Sequence, residues 1–500
     1  MAGPLWSLSL RRKFGLAGGL TLLGVGASVA LGAGAFVRSH TPARPFTTIG
    51  AGMGHLPLPK RKIPCLFGGV KNRRQTTAMD AGNNHVTSAQ LLRQMFDRAV
   101  EVADPMQSLA QFLPARPKGR VVVIGAGKAS ARMAEAVEAV WGACEGLVIT
   151  RYGYARPTKG IEIVEAGHPV PDEAGLHATQ RILALLSGLG PDDFVLALIS
   201  GGASALLTAP AGDVTLAEKQ QVNQMLLASG APIGQMNVLR KHLSRVKGGQ
   251  LAAAAYPAQM LALLVSDIPG DDPAMIGSGP TVGDYSTPED ARDIVRRWGL
   301  DVPGSVRAVL EQPSGVLHPD DPRLARVRNV ICAAPSQSLE AAARVAREAG
   351  YGVDILGDAL EGEAREVAAA QAQLALALSG PRILISGGEL TVTRRGDGIG
   401  GPNAEYALAL AMALGGARGI HAIACDTDGV DGAAEVAGAL ISPQTLALAQ
   451  AKGVDPQAAL DRNDAHSFFA AIGQQVITGP TLTNVNDFRA ILIAAPGADD

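Results

Sequence analysis

Aromatic side chains are scarce in this chain of 500 residues: Phe, Trp and Tyr together make up 4%. Stacking platforms for bases or sugars are therefore not its design. The cysteines number four, Cys65, Cys144, Cys332 and Cys425, with no CxxC pair and no metal spacing. That excludes a zinc ribbon and a disulfide framework, and predicts reduced, mostly buried thiols in a cytosolic protein. Acids are missing altogether from residues 1–78, which hold eleven Lys or Arg; the first acid is Asp80. The 422 residues that follow carry 33 basic and 46 acidic side chains, a net −13. A body so acidic is a poor partner for nucleic acid, whose binding rests on neutralising phosphates.

Residues 1–87 read as a basic, disordered extension. Arg11-Arg12-Lys13 precedes an uncharged stretch over 14–37, long enough to span a bilayer and similar to a twin-arginine export signal. Seven glycines dilute that stretch, and basic clusters without helical or strand period follow it. The alternatives are a signal, an unstructured tail, or a start assigned too far upstream, with Met79 as the true start. Stable membrane association is not expected, and the chain is assigned to the cytoplasm.

From residue 88 onward, short continuous apolar runs end in Gly-rich turns and are followed by Ala- and Leu-rich helical stretches. Strands are predicted at 120–124, 147–150, 161–165, 195–199, 260–265, 330–333, 353–356, 383–385, 421–424 and 491–493. Runs of this kind suit parallel strands covered on both faces. The predicted fold is α/β, with two doubly wound, Rossmann-like domains and the active site in the cleft between them. Gln312-Pro313-Ser314-Gly315 and Pro319-Asp320-Asp321-Pro322 break the periodicity, which divides the body into 88–325 and 326–500.

Several turns could carry chemistry. A strand runs into Gly125-Ala126-Gly127-Lys128, where a helix start and a lysine favour an anion. This is neither a Walker A loop, since residue 122 is Val, nor a complete dinucleotide fingerprint, since Ser130 replaces the third glycine. Ser200-Gly201-Gly202-Ala203-Ser204 fails the nucleophile-elbow pattern because residue 206 is Leu, and suits a phosphate or carboxylate instead. Arg240, Lys241, Arg245 and Lys247 form a basic stretch that reads either as a solvated helix face or as an anion site. Asp267, Asp271 and Asp272 follow a strand end, where carboxylates suit Mg²⁺ or a general base. Gly387-Gly388-Glu389, Asn403 and Glu405 at a helix start, and Asp426 with Asp428 after a strand recur in the second half. The last group lacks the downstream Glu of an EF-hand.

The order of these motifs is more specific than any one of them. GAGKAS (125–130), GHPVPDEAG (167–175), SGGASALL (200–207), NVLRKHLSRVKGGQLA (237–252), SDIPGDDPAMIGSGPT (266–281), SGGELTVT (386–393), GGPNAEYALALA (400–411), DTDGVDG (426–432) and TGPTLTNVNDF (478–488) closely resemble glycerate 2-kinases, whose C-terminal part is called the MOFRL domain. The resemblance covers roughly 88–495. It implies transfer of the γ-phosphoryl group of ATP to the 2-hydroxyl of D-glycerate, with ATP and Mg²⁺ as cofactors. It also implies Lys128 and Asp267 as catalytic residues, with Asp267 and Asp271 as metal ligands. Gly125, Gly127, Ser200, Gly201, Gly202, Ser204, Arg240, Lys241, Gly387, Gly388, Glu389, Asn403, Glu405, Asp426 and Asp428 would bind substrate or nucleotide. Many members carry Arg where this chain has Pro402; Arg394 or Arg395 lies near enough in sequence to replace its charge.

Two other readings stand beside it. Members of the family are also labelled hydroxypyruvate reductases, and Arg151 at a strand end could meet an NADP 2′-phosphate. A non-catalytic membrane-anchored sensor of small acids would use residues 14–37 as its anchor. A homo-oligomer is compatible with either enzyme.

Overall fold

The computed structural model describes residues 86–495 and 497, so the basic extension with its signal-like stretch lies outside the described residues. Two six-stranded sheets with helices packed against them organise the described chain, as the α/β two-domain expectation requires. Among the described residues no helix is long and apolar enough to cross a membrane.

The first sheet contains β1 (Val121–Ala126), β2 (Glu145–Arg151), β3 (Ile161–Ala166), β4 (Phe194–Ile199), β5 (Gln259–Val265) and β6 (Val327–Ala333). All are parallel, in the order β3-β2-β1-β4-β5-β6. Every residue of β1 is buried, and β4 and β5 are nearly so, because apolar clusters cover both faces. The strand order reverses between β1 and β4. A ligand crevice is expected there, at the carboxyl ends of the strands, and those ends carry Lys128, Ser200 and Asp267.

The domain limits shift from those the sequence suggests. β6 pairs with β5, from Met260 opposite Val327 to Val265 opposite Ala333, so the first sheet runs past residue 325. The Pro- and Gly-rich breaks before it belong to the connection between β5 and β6. In the other direction, the first helix, Ser88–Ala103, leaves the first sheet and covers the second. Its Ala99 carbonyl accepts from Ser338 Oγ at 2.8 Å, and Phe96 meets Phe488 with ring centroids 5.9 Å apart.

The second sheet is built from β7 (Gly352–Gly357), β9 (Arg382–Ser386), β11 (Ile420–Asp426), β12 (Gly438–Ile441), β13 (Gln475–Val476) and β14 (Asp487–Ile493). β8 (Gly362–Glu363) and β10 (Leu390–Thr391) form a small separate ladder. The order is β13-β12-β11-β14-β9-β7, and only β7 and β9 pair in parallel. The doubly wound expectation therefore holds for the first domain, while the second sheet is mixed. β14 enters the middle of the sheet reversed. It is buried along its whole length and so reads as the same apolar run that a parallel strand would.

A cluster of helices stands on the first domain. Leu216–Ser229, Ile233–His242, Pro288–Arg297 and Gly304–Leu310 share an apolar centre of Val222, Leu226, Leu239, Leu243, Val306 and their neighbours. Thr215 and Glu218 close a capping box at the start of the first of these helices. That fixes the helix whose buried face carries Lys219.

Candidate active site

Three strand ends of the first domain meet two segments of the second around Lys128. Lys128 follows β1, and its Nζ donates to Asp428 Oδ2 at 2.7 Å, an ion pair across the two domains with a buried acid. Asp267 follows β5. Asn484 Nδ2 donates to its Oδ2 at 3.1 Å, and Asn486 Nδ2 donates to its backbone carbonyl at 3.1 Å. Gly201 lies between them: a Cβ there would stand 2.0 Å from Asp267 Oδ2 and 2.7 Å from Asn484 Nδ2, so any larger residue would displace the carboxylate. Gly202 has φ of 83°, a left-handed value that favours glycine, and a Cβ on it would meet His168 Nε2 at 3.0 Å and Lys128 Cγ at 3.4 Å.

The charges are unequal. Burial works against the Lys128 cation, but Asp428, Asp426 and Asp267 outweigh it and hold the ammonium protonated above the usual lysine range. Burial raises the Asp267 carboxyl to about 6 against the pull of Lys128, with Glu389 and Asp428 adding to the rise. A carboxyl with that value can take up a proton near neutral pH. Burial, then Asp428 and Asp487, push Asp426 well above the ordinary carboxylate range. Burial, Lys128 and Arg151 lower His168 to about 4, so the imidazole is neutral at pH 7.

The two glycine turns of the first domain differ in what they offer. In the turn after β1, the N–H groups of Gly127, Lys128 and Ala129 donate to the Ile149 carbonyl, the Gly201 carbonyl and Ser200 Oγ. That turn presents the Lys128 side chain and no anion hole. Gly125 lies inside β1, where a Cβ would stand 2.5 Å from the Leu198 carbonyl oxygen; it serves strand packing. Ser200 is fully buried and ties the two turns together. By contrast, the N–H groups of Gly201 and Gly202 have no partner among the described residues.

Other expected residues separate in the same way. Arg240 donates to Asn223 Oδ1 at 2.6 Å and Asn237 Oδ1 at 3.3 Å and lines a cavity beside Gly202. Its neighbour Lys241 is buried in an ion pair with Asp284. Asn403 is buried, bridging Asp431 and Asp487 with Nδ2 at 3.3 and 2.7 Å. Glu405 is buried against Arg365 at 2.6 Å and Asn463 at 3.0 Å. Gly387 and Gly388 give their carbonyls to Arg489 at 2.7 and 3.0 Å. Glu389 is exposed beside them and acts on Asp267 through its charge. Pro402 opens the helix Pro402–Leu414, where its missing N–H costs nothing. Arg394 and Arg395 are exposed, with Arg394 Nε donating to the Gly396 carbonyl at 3.1 Å.

Sequence reasoning passed over His168, Tyr154 and Lys219, named Lys247 only within the basic stretch, and gave no individual role to Asn484 and Asn486. His168 and the two asparagines lie inside motifs already singled out, and that was their signal. The Tyr154 hydroxyl is buried without a hydrogen-bond partner among the described residues, and the Arg151 guanidinium lies 4.7 Å from its ring centre. Lys219 sits in a polar helical stretch and carries no signal in a single sequence. The three described cysteines are free and buried; Cys65 lies outside the described residues.

A family model described as "MOFRL family" matches residues 382–487, and one described as a domain of unknown function (DUF4147) matches residues 91–311. The chain is 53% identical over 423 residues to a protein of Agrobacterium vitis named "Putative hydroxypyruvate reductase", covering 82% of this chain and 95% of that one. It is 38% identical over 408 residues to the D-glycerate 2-kinase of Thermotoga maritima, covering 79% and 96%. The crystal structure of a glycerate kinase from Thermotoga maritima superposes with a TM-score of 0.74 at 36% identity, covering 81% of this chain and 99% of that one.

Proposed function

The chain belongs to the glycerate 2-kinase family whose C-terminal part is the MOFRL domain, and from that premise we propose that it transfers the γ-phosphoryl group of ATP to the 2-hydroxyl of D-glycerate. The observation that carries this reading is Lys128, held between the domains by buried carboxylates with Asp267 beside it. Phosphoryl transfer asks for positioning and charge neutralisation rather than covalent chemistry. Lys128 spends one donor on Asp428 and keeps two for phosphoryl oxygens. Asp267 accepts the proton of the attacking hydroxyl as the oxygen–phosphorus bond forms and the bond to the β-phosphate oxygen breaks, releasing ADP. The N–H groups of Gly201 and Gly202, without a partner among the described residues, suit the developing negative charge.

Among the described residues no group of three or more His, Cys, Asp or Glu could hold a metal ion alone. That fits magnesium, which is commonly bound by one or two carboxylates together with the phosphates of its substrate. Asp267 and Asp271 would hold it; Asp271 Oδ1 is buried without a hydrogen-bond partner among the described residues. The ion, when bound, would offset charge on the phosphates. ATP as cosubstrate places the enzyme in the cytoplasm.

The test is the identity of the product. The protein is incubated with D-glycerate, ATP and Mg²⁺, and the phosphoglycerate is resolved by phosphorus NMR. 2-Phosphoglycerate is expected. 3-Phosphoglycerate would overturn the regiochemistry alone, and no phosphoglycerate would overturn the reading.

A further inference from the structure

Beside Gly202, away from Asp267, lies a cavity of about 230 Å³. One wall is apolar, formed by Val222, Leu226 and Leu243 among others; His168 and Gly202 stand at its edge towards Lys128, and Ser204 also lines it. Three cations line it: Lys219 from the helix Leu216–Ser229, Arg240 from the helix Ile233–His242, and Lys247. Lys219 and Lys247 are buried. Lys219 Nζ donates to the Leu243 carbonyl at 3.2 Å, and Lys247 Nζ to the Ser204 carbonyl at 2.9 Å. Arg240 meets only amide oxygens. Among the described residues none of the three pairs with a carboxylate.

The adjacent residue provides the control. Lys241, one position along the same helix, is equally buried and does have its acid, Asp284. The fold thus neutralises one buried lysine and leaves two others, with the half-buried Arg240, without an anion. Burying unpaired charge is costly, and native proteins tolerate it where a ligand completes the site. The consequence shows in their titration: burial and Arg240 lower Lys219 to about 8, and burial with the neighbouring cations holds Lys247 well below the ordinary lysine range.

We propose that this cavity is the acid subsite: Lys219, Arg240 and Lys247 hold the carboxylate of a short 2-hydroxy acid, whose hydroxyl, on the adjacent carbon, lies at the Gly202 and His168 edge next to Lys128. The cavity is smaller than the roughly 300–1,000 Å³ of sites for larger ligands, and no Phe, Tyr or Trp lines it to stack on a base. The lining therefore suits a small acid better than a nucleotide. The identity of the acid as D-glycerate rests on the kinase reading; the subsite itself does not.

The test is calorimetric titration of D-glycerate, and separately of ATP with Mg²⁺, into the full chain and into Lys219→Met and Arg240→Gln. Each variant is expected to weaken D-glycerate about 30-fold, the scale of a lost hydrogen bond to a charged group, and to leave ATP within about twofold. Glycerol, which lacks the carboxylate, is expected to give no heat. Lys219→Met is also expected to raise the thermal midpoint, because it removes an unpaired buried charge; Arg240→Gln decides the matter should Lys219→Met not fold. Weakened ATP with unchanged D-glycerate would assign the cations to the nucleotide and overturn the proposal, as would D-glycerate binding that neither variant changes. Tight D-glycerate binding lost in the variants, with no ADP formed by the wild type, would leave the subsite standing and remove the kinase.

Discussion

On one side of Gly202 a single lysine faces Asp267, Asp426 and Asp428; on the other, three cations face no carboxylate at all. The first region carries excess negative charge and is suited to gather cations and take up a proton. The second carries excess positive charge and is suited to receive an anion. Neither is balanced by itself, and a glycine turn with no side chain separates them. A short 2-hydroxy acid held by its carboxylate in the second would bring the adjacent hydroxyl to the glycine turn that borders the first. Local charge imbalance, read with its burial, distinguishes a ligand site from a structural ion pair such as Lys241–Asp284.

The contrast can be broken most severely at Lys128. Lys128→Ala removes the cation that pairs with Asp428 and is expected to lower kcat by about 10³-fold, the scale of a lost transition-state charge partner, in ADP-release kinetics with the circular dichroism unchanged. Asp267→Asn removes the proton acceptor and is expected to cost about 10²–10³-fold in kcat. In the wild type the working form is the carboxylate, so kcat/KM is expected to fall as pH drops through about 6. That acid limb should vanish in the Asn variant, and a limb that persists there would assign it to another group.

On the structural side, Asp284→Asn strands the buried Lys241 and is expected to destabilise by roughly 3–5 kcal/mol in denaturant titration. The KM for D-glycerate should stay unchanged. A KM that rises instead would merge Lys241 with the acid subsite. The smallest effect is a pH dependence. Lys219 faces Arg240 across the cavity, with Lys247 and His168 also lining it. With its value lowered to about 8, it binds an anion when protonated. D-glycerate affinity should therefore be full below pH 8 and weaken as pH rises through it, measured by titration across that range.

Much of the architecture was legible because buried strands advertise themselves. All ten predicted runs are strands, from β1 to β14. β8, β10, β12 and β13 escaped notice: Gly438-Ala439-Leu440-Ile441 is short and Gly-led, and the other three span two residues each. Strand direction was not legible, since β14 is buried on both faces and looks alike either way. At the site, Lys128, Asp267 and Asp428 stand out by following strand ends. Arg240 and Lys241 look equivalent in sequence, and only the rotation of about 100° between neighbours on the helix sends one to the cavity and the other to Asp284. Lys219 lies among Glu218, Gln220 and Gln221, a stretch that reads as solvated helix. Its burial comes from helices far along the chain, which no local pattern encodes.

The most direct test of the account is a paired assay on the wild type and Lys128→Ala. ADP release is followed with D-glycerate, ATP and Mg²⁺, and nicotinamide oxidation with hydroxypyruvate and NADH or NADPH. The account predicts glycerate-dependent ADP release in the wild type, its loss in the variant, and no nicotinamide oxidation in either. Nicotinamide oxidation without ADP release would contradict it and make the chain a reductase.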